Sequence, residues 1–127
     1  MATRALTAED FSSTITSNDI VLVDFWADWC GPCKMFAPVY EAASEENSDV
    51  VFGKVDTEDQ RELGAALEIS SIPTVMAFRD GIMVFAQAGA LPAPMLKDLI
   101  QQVRDLPMDE IKAKIAAEQQ GNPPVGQ

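Results

Sequence analysis

Cys30 and Cys33, the only cysteines of the 127-residue chain, stand in the run Trp29-Cys30-Gly31-Pro32-Cys33. Phe36, Ala37, Tyr40 and Ala43 follow at helical spacing, which predicts a helix with both cysteines at its N-terminus. Unpaired backbone N–H groups and the positive end of the helix dipole stabilise an anion there. An ordinary thiol, with a pKa of about 8.5, is only a few per cent ionised at pH 7; a shift toward 7 makes about half of it thiolate, the nucleophilic form. Side chains three apart on a first turn lie about 5–6 Å from one another, which suits the Cα separation of about 4.4–6.8 Å that a disulfide tolerates. Gly31 permits the tight turn, and Pro32 sits where a first turn needs no N–H. Closing so short a loop stabilises a fold by only roughly 2 kcal/mol in the chain-entropy picture, so a bridge here reads as a redox device and not a staple. The other chemistry open to such a pair is a zinc site. With no histidine in the chain, its two further ligands would have to be carboxylates or come from another chain, and redox is the better reading; no metal is expected.

The element that must position this pair lies just upstream. Val21, Leu22, Val23, Phe25 and Trp26 form an apolar, β-branched and aromatic run too continuous for a strand with one wet face, which predicts a buried central strand. Asp24 interrupts it, and burying a carboxylate costs several kcal/mol unless it is neutralised or paired. Further along, residues 3–6 read as a short strand. Thr7-Ala8-Glu9-Asp10 resembles a capping box opening a helix to Ser17, and the cysteine helix continues to Asn47 with Pro38 inside it. Val50–Val55 reads as a strand parallel to the central one, followed by a helix over 58–67. Thr74–Arg79 and Ile82–Ala88, joined by Asp80-Gly81, predict a hairpin, and Ala93–Arg104 a helix that begins at Pro92 without a capping side chain. Beyond Pro107, a weaker stripe of Met108, Ile111 and Ile115, with Glu110 and Lys114 placed to pair, predicts an extra C-terminal helix. The expected organisation is a domain over 1–106, a helical extension over 107–120 that folds back on its own domain, and a flexible tail over 121–127.

A net charge of −11, from nine basic and twenty acidic residues, disfavours nucleic acid and anionic membrane surfaces as partners. A basic partner surface is compatible with it, although solubility alone is the plainer explanation. The N-terminus lacks a signal peptide's apolar core and no run reaches membrane-spanning length, so the expected location is cytoplasmic.

The Trp-Cys-Gly-Pro-Cys run resembles the thioredoxin family, and the likeness extends over residues 3–105. It includes the Asp24–Ala27 run, Lys34, Pro38, Lys54, Ile72-Pro73-Thr74, Gly81 and Gly89 in order. The resemblance implies an α/β fold: a central mixed sheet of four to five strands flanked by helices on both faces. It implies a thiol-disulfide oxidoreductase in which Cys30 attacks a protein disulfide and Cys33 resolves the mixed disulfide. Asp24 beneath the pair would relay a proton, tuned by Lys54; the plainer alternative is a buried Asp24–Lys54 ion pair serving structure alone. Trp29, Gly31, Pro32, Ile72, Pro73 and Gly89 would form an apolar client-docking patch, with the Ile72–Pro73 bond cis and the Ile72 backbone open to strand addition. Taken singly, each of these is also an ordinary turn or core residue, and Trp26 is a core residue by its place in the strand. No bound cofactor is implied beyond the disulfide itself; thioredoxin reductase, using NADPH, would restore the dithiol, and disulfide-containing proteins would be the clients. An oxidase or isomerase is the alternative within this chemistry, although those relatives carry other residues between the cysteines. A redox-silent binding module is the alternative outside it.

Overall fold

The computed structural model describes residues 2–121. The tail expected over 121–127 therefore lies outside the described residues, apart from Gly121, which ends a helix. Strands β1 (Thr3–Ala5), β2 (Ile20–Trp26), β3 (Val51–Asp56), β4 (Thr74–Arg79) and β5 (Ile82–Ala88) alternate with helices. The helices are α1 (Phe11–Ser17), α2 (Gly31–Glu46), α3 (Arg61–Ala66), α4 (Ala93–Arg104) and α5 (Met108–Gly121). The strands form one mixed sheet in the order β1-β3-β2-β4-β5. β2 lies at its centre, parallel to β3 and antiparallel to β4, which is why its first six residues are all buried. The hairpin turn forms as its sequence predicts: Asp80 and Gly81 both take positive φ, 54° and 80°, the combination a two-residue type I′ turn requires.

Successive β2 side chains separate into two cores. Val21, Val23 and Phe25 pack with Phe11 and Ile15 of α1 and with Leu63 of α3. Ile20 and Leu22 pack with Phe36 and Tyr40 of α2 and with Leu96, Leu99 and Ile100 of α4. The strict alternation of a strand then puts Asp24 on the α2 face, next along from Leu22. Helices thus cover both faces. Across the α2 face, Phe36, Tyr40 and Phe52 form an aromatic file with ring centroids 5.6 and 5.2 Å apart. The buried Tyr40 hydroxyl donates to the Gly53 carbonyl at 2.8 Å, tying α2 to β3.

Three local expectations are corrected. α1 starts at Phe11, because the capping box is only half made: the Asp10 carboxylate accepts the Thr7 N–H (2.7 Å), while the Thr7 hydroxyl donates to that carboxylate and caps nothing. α3 spans only Arg61–Ala66, because the Asp56 side chain accepts the N–H groups of Glu58 and Asp59 and holds the preceding residues in a turn. Glu110 and Lys114 do not pair; Lys112 instead reaches Asp80 in the hairpin turn, at 3.0 Å. Met108 is buried and Ile111 and Ile115 are half-buried, so α5 rests on the domain through its first turns.

Candidate redox site

Cys30 is the N-cap of α2, with Pro32 in the first turn. The two cysteines are joined by a disulfide, with Cα atoms 5.2 Å apart. The Cys33 backbone N–H donates to Cys30 Sγ at 3.1 Å. One of the orphan donors of the helix start is thus aimed at the sulfur that would carry negative charge in the reduced form. Cys30 Sγ also lies 3.7 Å from the Ile72 carbonyl oxygen; a disulfide sulfur has no proton to give, so this is a contact and not a hydrogen bond. Both cysteines are 3 % exposed, so burial in the oxidised form does not rank them. Position does: Cys30 precedes the helix beside Trp29 and Ile72, whereas Cys33 is inside its first turn, lining a crevice of about 90 Å³ with Trp26, Lys34 and Lys54.

Asp24 is fully buried, and neither carboxylate oxygen has a protein hydrogen-bond partner. Burial raises its pKa from 3.8 to about 7, with the positive charge of Lys54 pulling the other way. Lys54 is its register partner on the parallel strand β3. The expected alternative of a direct ion pair is not what forms: Lys54 Nζ lies 5.0 Å from the centroid of the Trp26 ring, a cation–π contact. Trp26 is correspondingly only half-buried, at the rim of the core. Lys54 acts on Asp24 through space, weakly enough for burial to prevail.

The six residues expected to form a docking patch meet around the disulfide. Trp29 is 69 % exposed. The Ile72–Pro73 bond is cis. Gly89 takes φ +108° and donates its N–H to the Pro73 carbonyl at 2.7 Å, so the start of β4 and the end of β5 close against each other. A Cβ at Gly31 or Gly89 would meet nothing within 4 Å, which leaves both backbones open to an approaching chain. Pro73 itself is buried and serves as support, not surface. The sequence did not point to a groove of about 430 Å³ next to Trp29 and Ile72, bounded by Thr57, Glu58, Arg61, Ala65, Ser70 and others. Its walls are far apart in the chain and none of these residues carries a motif. Among the described residues, no cluster of three or more metal-ligating side chains occurs.

A disulfide-bonded cysteine pair at a helix N-terminus, with a buried acid on the sheet face that this helix covers, defines a thiol-disulfide redox protein. The comparisons give the family. The Thioredoxin family model matches residues 2–102. A protein of Streptomyces coelicolor provisionally named thioredoxin 2 is 60 % identical over 118 residues, 93 % of this chain and 88 % of that protein, which carries the likeness past residue 102 into α5. Thioredoxin-2 of Saccharomyces cerevisiae is 38 % identical over 104 residues, 81 % of this chain and all of that protein. Among solved structures, spinach chloroplast thioredoxin F superposes with a TM-score of 0.75 at 31 % identity, covering 82 % of this chain and 95 % of that one. The chain belongs to the thioredoxin family and is a thiol-disulfide oxidoreductase whose redox-active group is the Cys30–Cys33 disulfide.

Proposed function

We propose that this chain is a reductant of protein disulfides in which Cys30 attacks, Cys33 resolves and Asp24 relays the proton. The observation that carries the assignment is the N–H of Cys33 directed at Cys30 Sγ at the start of α2. The Cys30 thiolate attacks one client sulfur, forming a mixed disulfide as the client S–S bond breaks and its other sulfur leaves as thiolate. The Cys33 thiol gives its proton to the Asp24 carboxylate, directly or through water entering by the Lys54 crevice, and attacks Cys30 Sγ. The client departs with both sulfurs reduced, two electrons having passed from the dithiol. Trp29, Gly31, Pro32, Ile72 and Gly89 form the docking surface, supported by Pro73, and the client pairs with the Ile72 backbone by strand addition. Thioredoxin reductase, drawing on NADPH, regenerates the dithiol. The site of action is the cytoplasm, and the clients are disulfide-containing proteins, not nucleic acid or membranes. Residues 1–106 carry the activity, with 107–120 as a stabilising extension.

Trapping tests the roles. With Cys33→Ser the first step stands but the resolving thiol is gone, since a serine hydroxyl does not attack sulfur, so mixed disulfides with clients accumulate and dithiothreitol releases them. Cys30→Ser should trap few. Equal trapping by the two variants would overturn the assignment, and none by either would point to a redox-silent binding module. A redox titration of the wild type against glutathione separates reductant from oxidase or isomerase.

A further inference from the structure

The cysteine helix carries a third sulfur that the redox reading leaves unused. Of the methionines among the described residues, Met76 and Met108 are buried, Met83 and Met95 are 53 % and 52 % exposed, and Met35 is 77 % exposed. The exposure of Met35 has a local cause. Cys33, Phe36 and Tyr40 turn into the core, and at 3.6 residues per turn Met35 lies almost opposite Cys33. It shares its outward face with the exposed Gly31 and Pro32, one turn back and about 6 Å along the axis from Gly31. A helical side chain leans toward the helix N-terminus, so the Met35 thioether leans toward the rim of the disulfide. A Cβ at Gly31 would meet nothing within 4 Å, so Met35 does not cover that backbone, and a chain approaching Cys30 over the start of α2 meets both. With Cys30 and Cys33 joined, no thiol is left to consume an oxidant, and the thioethers are the oxidisable sulfurs.

We propose that Met35 is a peroxide-oxidation site on the α2 side of the docking surface, and that its sulfoxide weakens the reduction of protein disulfides without altering the cysteine chemistry. This rests on the reductase reading above and adds a regulation of the same site. The Met35 sulfur attacks one oxygen of hydrogen peroxide, and an S–O bond forms as the O–O bond breaks. The proton on the transferred oxygen passes to the departing hydroxide, which leaves as water; the sulfur has lost two electrons and the peroxide has gained them. A flexible apolar side chain thereby becomes a polar one where a client must press against it.

Hydrogen peroxide applied to the disulfide-bonded protein, followed by peptide mass spectrometry, should add oxygen at Met35 before Met83 and Met95, and at Met76 and Met108 last. Dithiothreitol then opens the Cys30–Cys33 bond while leaving the sulfoxide, and both reagents are removed. The rate constant for reducing insulin should fall roughly three- to tenfold, the cost of pressing an unpaired polar group into an apolar contact. That for bis(2-hydroxyethyl) disulfide, too small to bridge from Cys30 to Met35, should hold. Met35→Gln, a permanent polar group of similar size, should show the insulin loss without peroxide. In Met35→Leu the treated-to-untreated ratio should be near one, whereas in Met83→Leu and Met95→Leu it should stay as low as in the wild type. Slower oxidation of Met35 than of Met76 or Met108 would overturn the inference, as would an unchanged insulin rate, an equal loss toward both disulfides, or a Met35→Leu ratio as low as the wild type's. Reduction of neither disulfide by the untreated protein would overturn the reductase reading and this inference with it, a result distinct from the others because it appears before any peroxide is added.

Discussion

At the scale of the residue, Asp24 sets stability and chemistry against each other. Its folded pKa of about 7 is above the ordinary 3.8, so between those values the folded state holds a proton that the unfolded chain has lost. Stability therefore falls as pH rises through this window, and the penalty is complete above about pH 7. One pKa unit corresponds to about 1.4 kcal/mol, which makes the full penalty roughly 4 kcal/mol. Asp24→Asn should remove it: denaturant unfolding of the oxidised variant should be nearly flat from pH 4 to 8, while the wild type declines. The same substitution should slow the resolving step near neutral pH, since it removes the carboxylate proposed to take the Cys33 proton. Single-turnover rates unchanged across pH 6–9 would sink the relay while leaving the stability prediction standing. Tyr40→Phe offers a contrast at the same face. It deletes a buried hydrogen bond to Gly53 and should cost about 1 kcal/mol by unfolding, without the pH signature of Asp24.

Among the elements, α3 is the one built against its local preferences. Leu67 ends it, the Glu68 N–H bonds to the Ala65 carbonyl and the Ile69 N–H to the Gly64 carbonyl, the paired bonds of a Schellman ending. That ending places Glu68 at φ +57°, a left-handed conformation that glycine adopts without a Cβ clash. Glu68→Gly should therefore stabilise the fold by about 1 kcal/mol, read as a raised denaturant midpoint. Gly53 presents the opposite case. A Cβ there would run into the side chain of Leu6, so Gly53→Ala should displace β1 from β3 and lower stability.

For the molecule as a whole, the active end and the extension lie apart. The disulfide, the cis-proline loop and Gly89 gather where β2 runs into α2 and where β4 meets β5, whereas α5 docks at the opposite end of β4 through Met108 and the Lys112–Asp80 pair. Deleting residues 107–127 should lower unfolding free energy by roughly 2 kcal/mol, mostly the lost burial of Met108. Disulfide reduction by the folded truncation should persist. Loss of activity in a truncation that still unfolds cooperatively would show that the extension serves the site.

The sequence by itself determined the chemistry and most of the frame. Cysteine spacing at a helix start, a continuous apolar strand, a positive-φ hairpin turn and the Ala93–Arg104 helix are local signals, carried by neighbours in the chain, and the elements they predict formed with nearly the expected bounds. Asp24 was recognisable as an anomaly because one charged residue inside an apolar run is visible without coordinates. Tertiary structure decided what depends on residues distant in sequence. It left Lys54 over Trp26 instead of bonded to Asp24 and Lys112, not Glu110 or Lys114, as the charge that fastens α5, and it brought α3 and the Ile72 loop together into a groove. Such pairings are set by how far side chains reach across packed elements, a distance the linear chain does not encode locally. Helix starts at Phe11 and Arg61 were settled by the one or two backbone N–H groups that a single carboxylate accepts, worth about 1 kcal/mol per bond, where alternatives compete closely.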